Sequence, residues 1–179
     1  MKYFSTRRLV YLSFLIGLSI VLTRVFSLRI VIAGVEGIRI GLGGLPIIFA
    51  GIAFGPLAGA VVGAIADLLG YLINPLGPYL PHFTLTSLLT GFIPGLIIAL
   101  FYREKPGLLR LLLAISVGQI ITSVIMVPVF LQQIFGIPLA VTLLPRIISQ
   151  ALTIPVYAYL CNALLKYDLF KLVCQPVKN

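Results

Sequence analysis

The sequence predicts an all-α integral membrane protein, a bundle of six transmembrane helices forming one membrane-embedded domain over residues 1–179, with both termini in the cytoplasm. Three observations carry that expectation. Charged residues make up 9% of the chain and hydrophobic ones 60%, whereas a soluble domain carries about 25% charged residues, so the chain has too little charge to clothe a water-facing surface. Six apolar runs approach or exceed the length that crosses hydrocarbon, about 20 helical residues with shorter spans tolerated. The cations, 13 Lys and Arg against 4 Asp and Glu, gather between alternate runs, as they do in cytoplasmic loops.

The first run, Leu9–Leu28, follows a basic start with Lys2, Arg7 and Arg8. It lacks a small-residue cleavage site before Thr23, Arg24 and Phe26, so it reads as a retained helix rather than a signal peptide. The second, Ile40–Phe54, is short, and Gly41, Gly43, Gly44 and Pro46 weaken its first turn. Gly55 and Pro56 make a tight turn into Leu57–Ile73, and Phe83–Tyr102, Leu108–Phe130 and Leu143–Leu165 complete the six. With the N-terminus inside, Lys2, Arg7, Arg8, Arg103, Lys105, Arg110, Lys166, Lys171 and Lys178 are cytoplasmic. Arg24, Arg29, Arg39 and Arg146 then fall at or near the outer ends of helices.

Several functions are excluded at this level. The cations are sparse and separated by apolar runs, which leaves no face to track nucleic-acid phosphates. Cys161, Cys174 and the single histidine, His82, have no metal-ligand or redox spacing. No phosphate-binding loop is present for ATP hydrolysis, and no nucleophile and base pair suggests catalysis. The reading is a binder or carrier, not an enzyme, with no cofactor.

Polar residues inside the spans point to what is bound. Asp67 shares a helical face with Gly59, Gly63 and Gly70, which turns it toward protein; it either pairs with an arginine or meets a ligand. Glycines at steps of four, Gly51, Gly55, Gly59 and Gly63 with Gly91 and Gly95, suit close helix packing. Arg146, Gln150, Thr153 and Tyr157 form one polar stripe on the sixth span, and Ser116, Gln119 and Ser123 follow the same spacing on the fifth. Serine and threonine satisfy themselves on their own backbone, so the two amides carry more weight. Arg24, Arg39 and Arg146 either snorkel to headgroups or form a capture site for an anionic solute. The segment 74–82 lies on the same side and brings Tyr79 and His82, with Phe83, over that site.

The run Arg39-Ile-Gly-Leu-Gly-Gly-Leu-Pro46, followed by Ala50-Gly-Ile-Ala-Phe-Gly-Pro56, Gly59-Ala-Val-Val-Gly63, Ala66-Asp-Leu-Leu-Gly70 and Phe83-Thr-Leu-Thr86, resembles the folate family of substrate-binding S components of energy-coupling factor (ECF) vitamin transporters. The resemblance implies a six-helix protein of the bacterial cell membrane that captures a vitamin from outside and docks onto a transmembrane T component with two cytoplasmic ATPase subunits. Its first-helix Ala-x-x-x-Ala element, used against the T component, corresponds here to Ser13 and Gly17. Its arginines match Arg24 and Arg39, its aspartate matches Asp67, and its Phe-Thr-Leu-Thr run brings Phe83 and Thr84 into the candidate site.

Folate suits these residues on its own chemistry. Its glutamate tail offers carboxylates to Arg24, Arg39 or Arg146, its pterin edge suits Asp67 or Gln150, and its flat rings suit Tyr71, Tyr79 or Phe83. Two alternatives stand beside this reading: an S component for another vitamin such as pantothenate, and a small structural or assembly membrane protein whose polar groups only join helices.

Overall fold

A computed structural model describes residues 6–24, 27–32, 35–73, 79–101 and 106–166, with the backbone alone for 27–32 and 35–40. The elements are α1 (Thr6–Arg24), β1 (Ser27–Ile32), β2 (Val35–Gly41), α2 (Gly44–Phe54), α3 (Pro56–Ile73) and α4 (Pro81–Phe101). Two long helices follow, α5 (Leu108–Phe135) and α6 (Leu139–Lys166). Five of these helices are long and apolar enough to cross a membrane, and α2 is the short sixth. Large apolar side chains face outward from them, among them Phe14, Leu57, Leu72, Leu100 and Phe101, each more than 60% exposed. In water that surface would drive aggregation; in a bilayer it is the lipid-facing wall.

The expected spans are corrected at the first two. Helix α1 ends at Arg24 rather than continuing to Leu28, and α2 begins at Gly44 rather than Ile40. Between them β1 and β2 pair antiparallel, with Ser27 opposite Gly41 and Arg29 opposite Arg39. The segments are rich in isoleucine and valine and alternate in polarity, a period-two pattern that suits a pleated ribbon better than a helix face. The six-helix bundle therefore stands, with a hairpin inserted after the first helix.

At 11 residues, α2 is about 16 Å long at 1.5 Å per residue, roughly half the hydrocarbon thickness. It tolerates this because it is held inside the protein: Leu45 through Gly51 are all buried. Gly55, at φ 99°, turns the chain sharply from α2 into α3, a conformation that glycine adopts without steric cost. At the same end Arg8 donates to the Phe54 carbonyl and lies 5.9 Å from the Phe54 ring centroid.

Helices α2, α3 and α4 meet backbone to backbone. A Cβ placed on Gly59 would lie 2.6 Å from both the Gly51 Cα and the Gly91 carbonyl oxygen, and one on Gly95 would lie 2.5 Å from the Gly51 carbonyl oxygen. Gly63 faces the Ser87 carbonyl in the same way. Lipid is as apolar as the helix surface, so association depends on such close contact. Gly55 is the exception among the spaced glycines, serving the turn rather than the seam.

Helix α5 is π-helical over Ile120–Met126. Pro128, two residues beyond, cannot donate to the carbonyl four residues back, so the hydrogen-bond ladder is interrupted there. Wider turns of this kind occur mostly as short interruptions within α-helices.

The glycine seam yields a first prediction. Replacing Gly91 by Val forces a branched side chain into the Gly59 backbone, and overpacking of this kind costs about 1–3 kcal/mol. Thermal unfolding of the purified protein in detergent should show that loss for Gly91→Val. Gly17→Ala serves as the control, since nothing lies within 4 Å of a Cβ built there; equal behaviour of the two variants would contradict the seam.

Candidate functional site

The bundle surrounds an open-mouthed cavity of about 610 Å³ at the end where α1 finishes and α6 begins. That volume lies within the range of small-molecule sites, about 300–1,000 Å³. Its walls come from all six helices, α2 through Ile47, with the Gly41–Gly44 link between β2 and α2 on one side.

The link is pinned from two directions. Ser19 of α1 donates its hydroxyl to the Gly43 carbonyl at 2.7 Å, and Tyr157 of α6 donates to the Gly41 carbonyl at 2.6 Å. The Tyr157 ring also packs against Gly44, where a Cβ would stand 3.0 Å from the phenolic oxygen. Carbonyls that a non-helical segment leaves unpaired inside a membrane protein need such partners.

Asp67 sits on the cavity wall, half-buried, and is organised by α4. Thr84 donates to its Oδ2 at 2.7 Å and Ser87 to its Oδ1 at 3.5 Å. Thr84 and Tyr79 are also joined, 2.9 Å apart. A hydroxyl has one proton, and because that of Thr84 goes to Asp67, the Tyr79 phenol donates to Thr84. Two neutral hydroxyls leave a carboxylate with acceptor capacity to spare. One turn further along α3, the Arg24 guanidinium lies over bare Gly70, with Nη2 3.4 Å from the position a Cβ would take. A larger residue at 70 would displace the cation.

The α6 stripe lies along the cavity as the spacing suggests, with Arg146, Gln150, Thr153 and Tyr157 all in the wall. On α5, Gln119 and Ser123 line the cavity, and Ser123 donates to the Gln119 Oε1 at 3.2 Å. Ser116 is not in the wall. The Gln150 Oε1 is buried and accepts no hydrogen bond among the described residues. The arrangement offers a cation-bearing end and an amide-lined wall to a single ligand.

Of the ten candidate binding residues, Arg24, Asp67, Tyr71, Phe83, Arg146 and Gln150 line the one cavity. Tyr79 and Thr84 stand behind Asp67 in its hydrogen-bond chain, and the Tyr79 ring lies 5.2 Å from that of Tyr71. His82 is exposed and packs 4.9 Å from the Phe130 ring, away from the wall. Arg39 lies on β2 with its side chain outside the described residues, as do residues 74–78 of the covering segment. Ser13 and Gly17 are exposed, on the side of α1 away from buried Leu12, Leu15 and Ser19. Among the described residues no group of three or more His, Cys, Asp or Glu could hold a metal ion.

The sequence reading passed over Ser19, Thr23, Thr86, Ser87, Thr90, Thr122 and Ser149, all of which line the cavity. Their chemistry explains why. Thr86, Thr90, Thr122 and Thr153 each donate to a carbonyl three or four residues back, the same bond an uninvolved hydroxyl makes in any apolar helix. A usable signal existed in the spacing of Ser19 with Thr23 and of Thr86 with Thr90.

Comparison with known proteins places this geometry. Residues 3–166 match the family model of the ECF-type riboflavin transporter S component. The chain is 34% identical over 150 residues to the folate transporter FolT of Clostridium novyi (strain NT), an alignment covering 84% of this chain and 83% of that one. It superposes on the crystal structure of FolT bound with folic acid with a TM-score of 0.78 at 26% identity, over 93% of this chain and 97% of the other. A second solved structure, the S component of a bacterial ECF transporter, gives a TM-score of 0.67 at 21% identity, over 90% and 97%.

Proposed function

Because the chain belongs to the family of ECF-type transporter S components, multi-pass membrane proteins that bind substrate rather than catalyse, we propose that it captures folate from outside the cell for ATP-driven uptake. The observation that carries this reading is the mixed charge of one cavity: Arg24 and Arg146 against a single Asp67, with Tyr71 and Phe83 beside them. The anionic glutamate tail of folate answers the guanidinium groups, and its flat ring system answers the aromatic side chains. Riboflavin carries no carboxylate, so it offers the two guanidinium groups no anion to bind. Pantothenate has one carboxylate and no aromatic ring. The similarity to FolT supports the same choice.

Calorimetry with folic acid on the purified protein tests it. Saturable binding is expected, and Arg24→Ala or Arg146→Ala should weaken it by about 1.5–3 kcal/mol, the worth of a hydrogen bond to a charged group. Parent protein that binds riboflavin or pantothenate and not folic acid would replace the substrate, and arginine variants that bind like the parent would make those residues lipid anchors.

The proposed orientation puts the cavity end outside and both termini inside. Arg7, Arg8, Arg110 and Lys166, at the opposite helix ends, support it through the positive-inside rule. Single cysteines introduced at Leu76 and Arg103 provide the test: the first should react with an impermeant maleimide in intact cells and the second should not, and the reverse pattern inverts the topology.

Uptake requires an energy source that this chain lacks, which we assign to a T component and two ATPase subunits. The exposed Ser13 and Gly17 are the proposed contact, since small side chains one turn apart let another helix approach. The double replacement Ser13→Trp with Gly17→Trp should abolish ATP-driven folate uptake while folic acid binding by the isolated protein persists. Unchanged uptake would move the contact to another helix.

A further inference from the structure

Every fourth residue of α5 from Gln119 outward lines the cavity: Gln119, Ser123, Val127, Leu131 and Phe135. An unbroken α-helix cannot keep such a row on one wall. At 3.6 residues per turn each step of four overshoots by about 40°, so Val127 would stand about 80° from Gln119 and Phe135 about 160°. Val127 is instead buried, on the same side as Gln119 and Thr122, while Ile120, Ile121 and Ile125 take the exposed side.

The hydrogen bonds show how the row is straightened. Ile120 donates to the Ser116 carbonyl and Gly136 to the Gln132 carbonyl, each four residues back, whereas Val127 donates to the Thr122 carbonyl, five back. The helix is α-helical on both flanks and takes up one surplus residue between them. That surplus turns the outer half back by about 100°, which brings Val127, Leu131 and Phe135 within about 60° of Gln119. Both flanks are held. Inward, bare Gly118 lies against Pro94 of α4, where a Cβ would stand 2.8 Å from the ring Cγ, and the Thr90 and Thr122 hydroxyls are 3.3 Å apart. Outward, Pro128 is fully buried, and in an α-helix its ring would meet the carbonyl four residues back. The wider turn is the form this sequence keeps.

We propose that the surplus residue is a positioning device for the ligand, which makes α5 offer aliphatic Val127 and Leu131 to the outer part of the bound molecule. The inference rests on the reading of the cavity as the folate site. By the α-helical repeat, an unbroken helix would show Phe130 and Gln133 there, about 20° and 40° from Gln119. Phe130 lies off the wall instead, its ring 4.9 Å from His82. One helix thus joins a polar inner half, Gln119, Thr122 and Ser123, to an apolar outer half. A molecule that is apolar along its middle suits this wall. A chain of hydroxyls at the same depth would give up water against it without finding partners, which selects against such ligands.

Single-residue deletions in the full-length purified protein test the device, with folic acid as the probe. Deleting lipid-facing Ile125 together with Pro128→Ala removes the surplus and lets α5 run as an unbroken helix with its two halves still aligned. That variant should keep its ligand-free unfolding midpoint and bind folic acid within about threefold of the parent, less than the worth of one buried apolar side chain. Deleting Val129 with the same Pro128→Ala puts one half about 100° out of line. It should weaken folic acid about tenfold or more, as withdrawal of an apolar side chain from contact predicts. Labelling gives a second reading that needs no deletion. A cysteine placed at Leu131 should react with a small water-soluble thiol reagent and be protected by folic acid, whereas one at Phe130 should gain no protection. Loss of folding or binding on deleting Ile125, equal tolerance of both deletions, or protection at Phe130 in place of Leu131 would overturn the proposal. Parent protein that does not bind folic acid would retire the folate reading instead, and the ligand-free unfolding midpoints of the two deletion variants would still decide the register of α5.

Discussion

Three helix backbones in direct contact set the geometry of this molecule. Where Gly51, Gly59, Gly63, Gly91 and Gly95 meet, α2, α3 and α4 approach until the missing side chains leave only main-chain atoms between them. In a bilayer, apolar side chains gain little by leaving lipid for protein, so a close seam supplies the cohesion that a hydrophobic core supplies in water. The short α2 depends on it most, because a helix half the thickness of the hydrocarbon has no stable place except inside a protein.

The cavity follows from that seam. With α3 and α4 locked together, Asp67 and Thr84 are brought within hydrogen-bond distance. Gly70, on the same helix, leaves room for the Arg24 guanidinium to lie across α3. The opposite wall is looser: α5 carries its π-helical segment, and α6 has Pro145 and Pro155 within it. One wall holds Asp67 among the hydroxyls of α4, and the other carries Arg146 together with Gln119 and Gln150. The Gly41–Gly44 link between them is held by side chains from α1 and α6, so its position relative to the site depends on contacts that span most of the sequence.

An S component has to bind on one side and couple on another. Under the proposed assignment the two tasks use different faces of the same first helix. Ser19 and Thr23 line the cavity, whereas Ser13 and Gly17 look outward. A helix that touches both the site and the exterior gives ligand binding and partner contact a shared structural element without sharing a residue.

Much of this was legible in the chain itself, for physical reasons. Sparse charge and long apolar runs determine a membrane protein, because lipid admits little else, and helical spacing alone aligned Arg146, Gln150, Thr153 and Tyr157 on one face and placed Asp67 with the small residues of α3. The family was legible too, through motifs centred on glycines whose spacing the helix seam requires. Other features were decided only by the tertiary structure. The hairpin is not legible in the sequence, where only its ends, Leu28 and Ile40, read as parts of the flanking helices, because short isoleucine-rich runs suit either form until a partner strand fixes the choice. Thr84 and Tyr79 lie 17 and 12 positions from Asp67 in the sequence, and only the packing of α3 on α4 makes them one chain of hydrogen bonds. His82, conspicuous as the single histidine, was carried outward to Phe130 instead. Thr86, Thr90 and Thr122 donate to their own helix backbones and so carry no signal alone; it is the shared cavity, a property of six helices at once, that gives them a role.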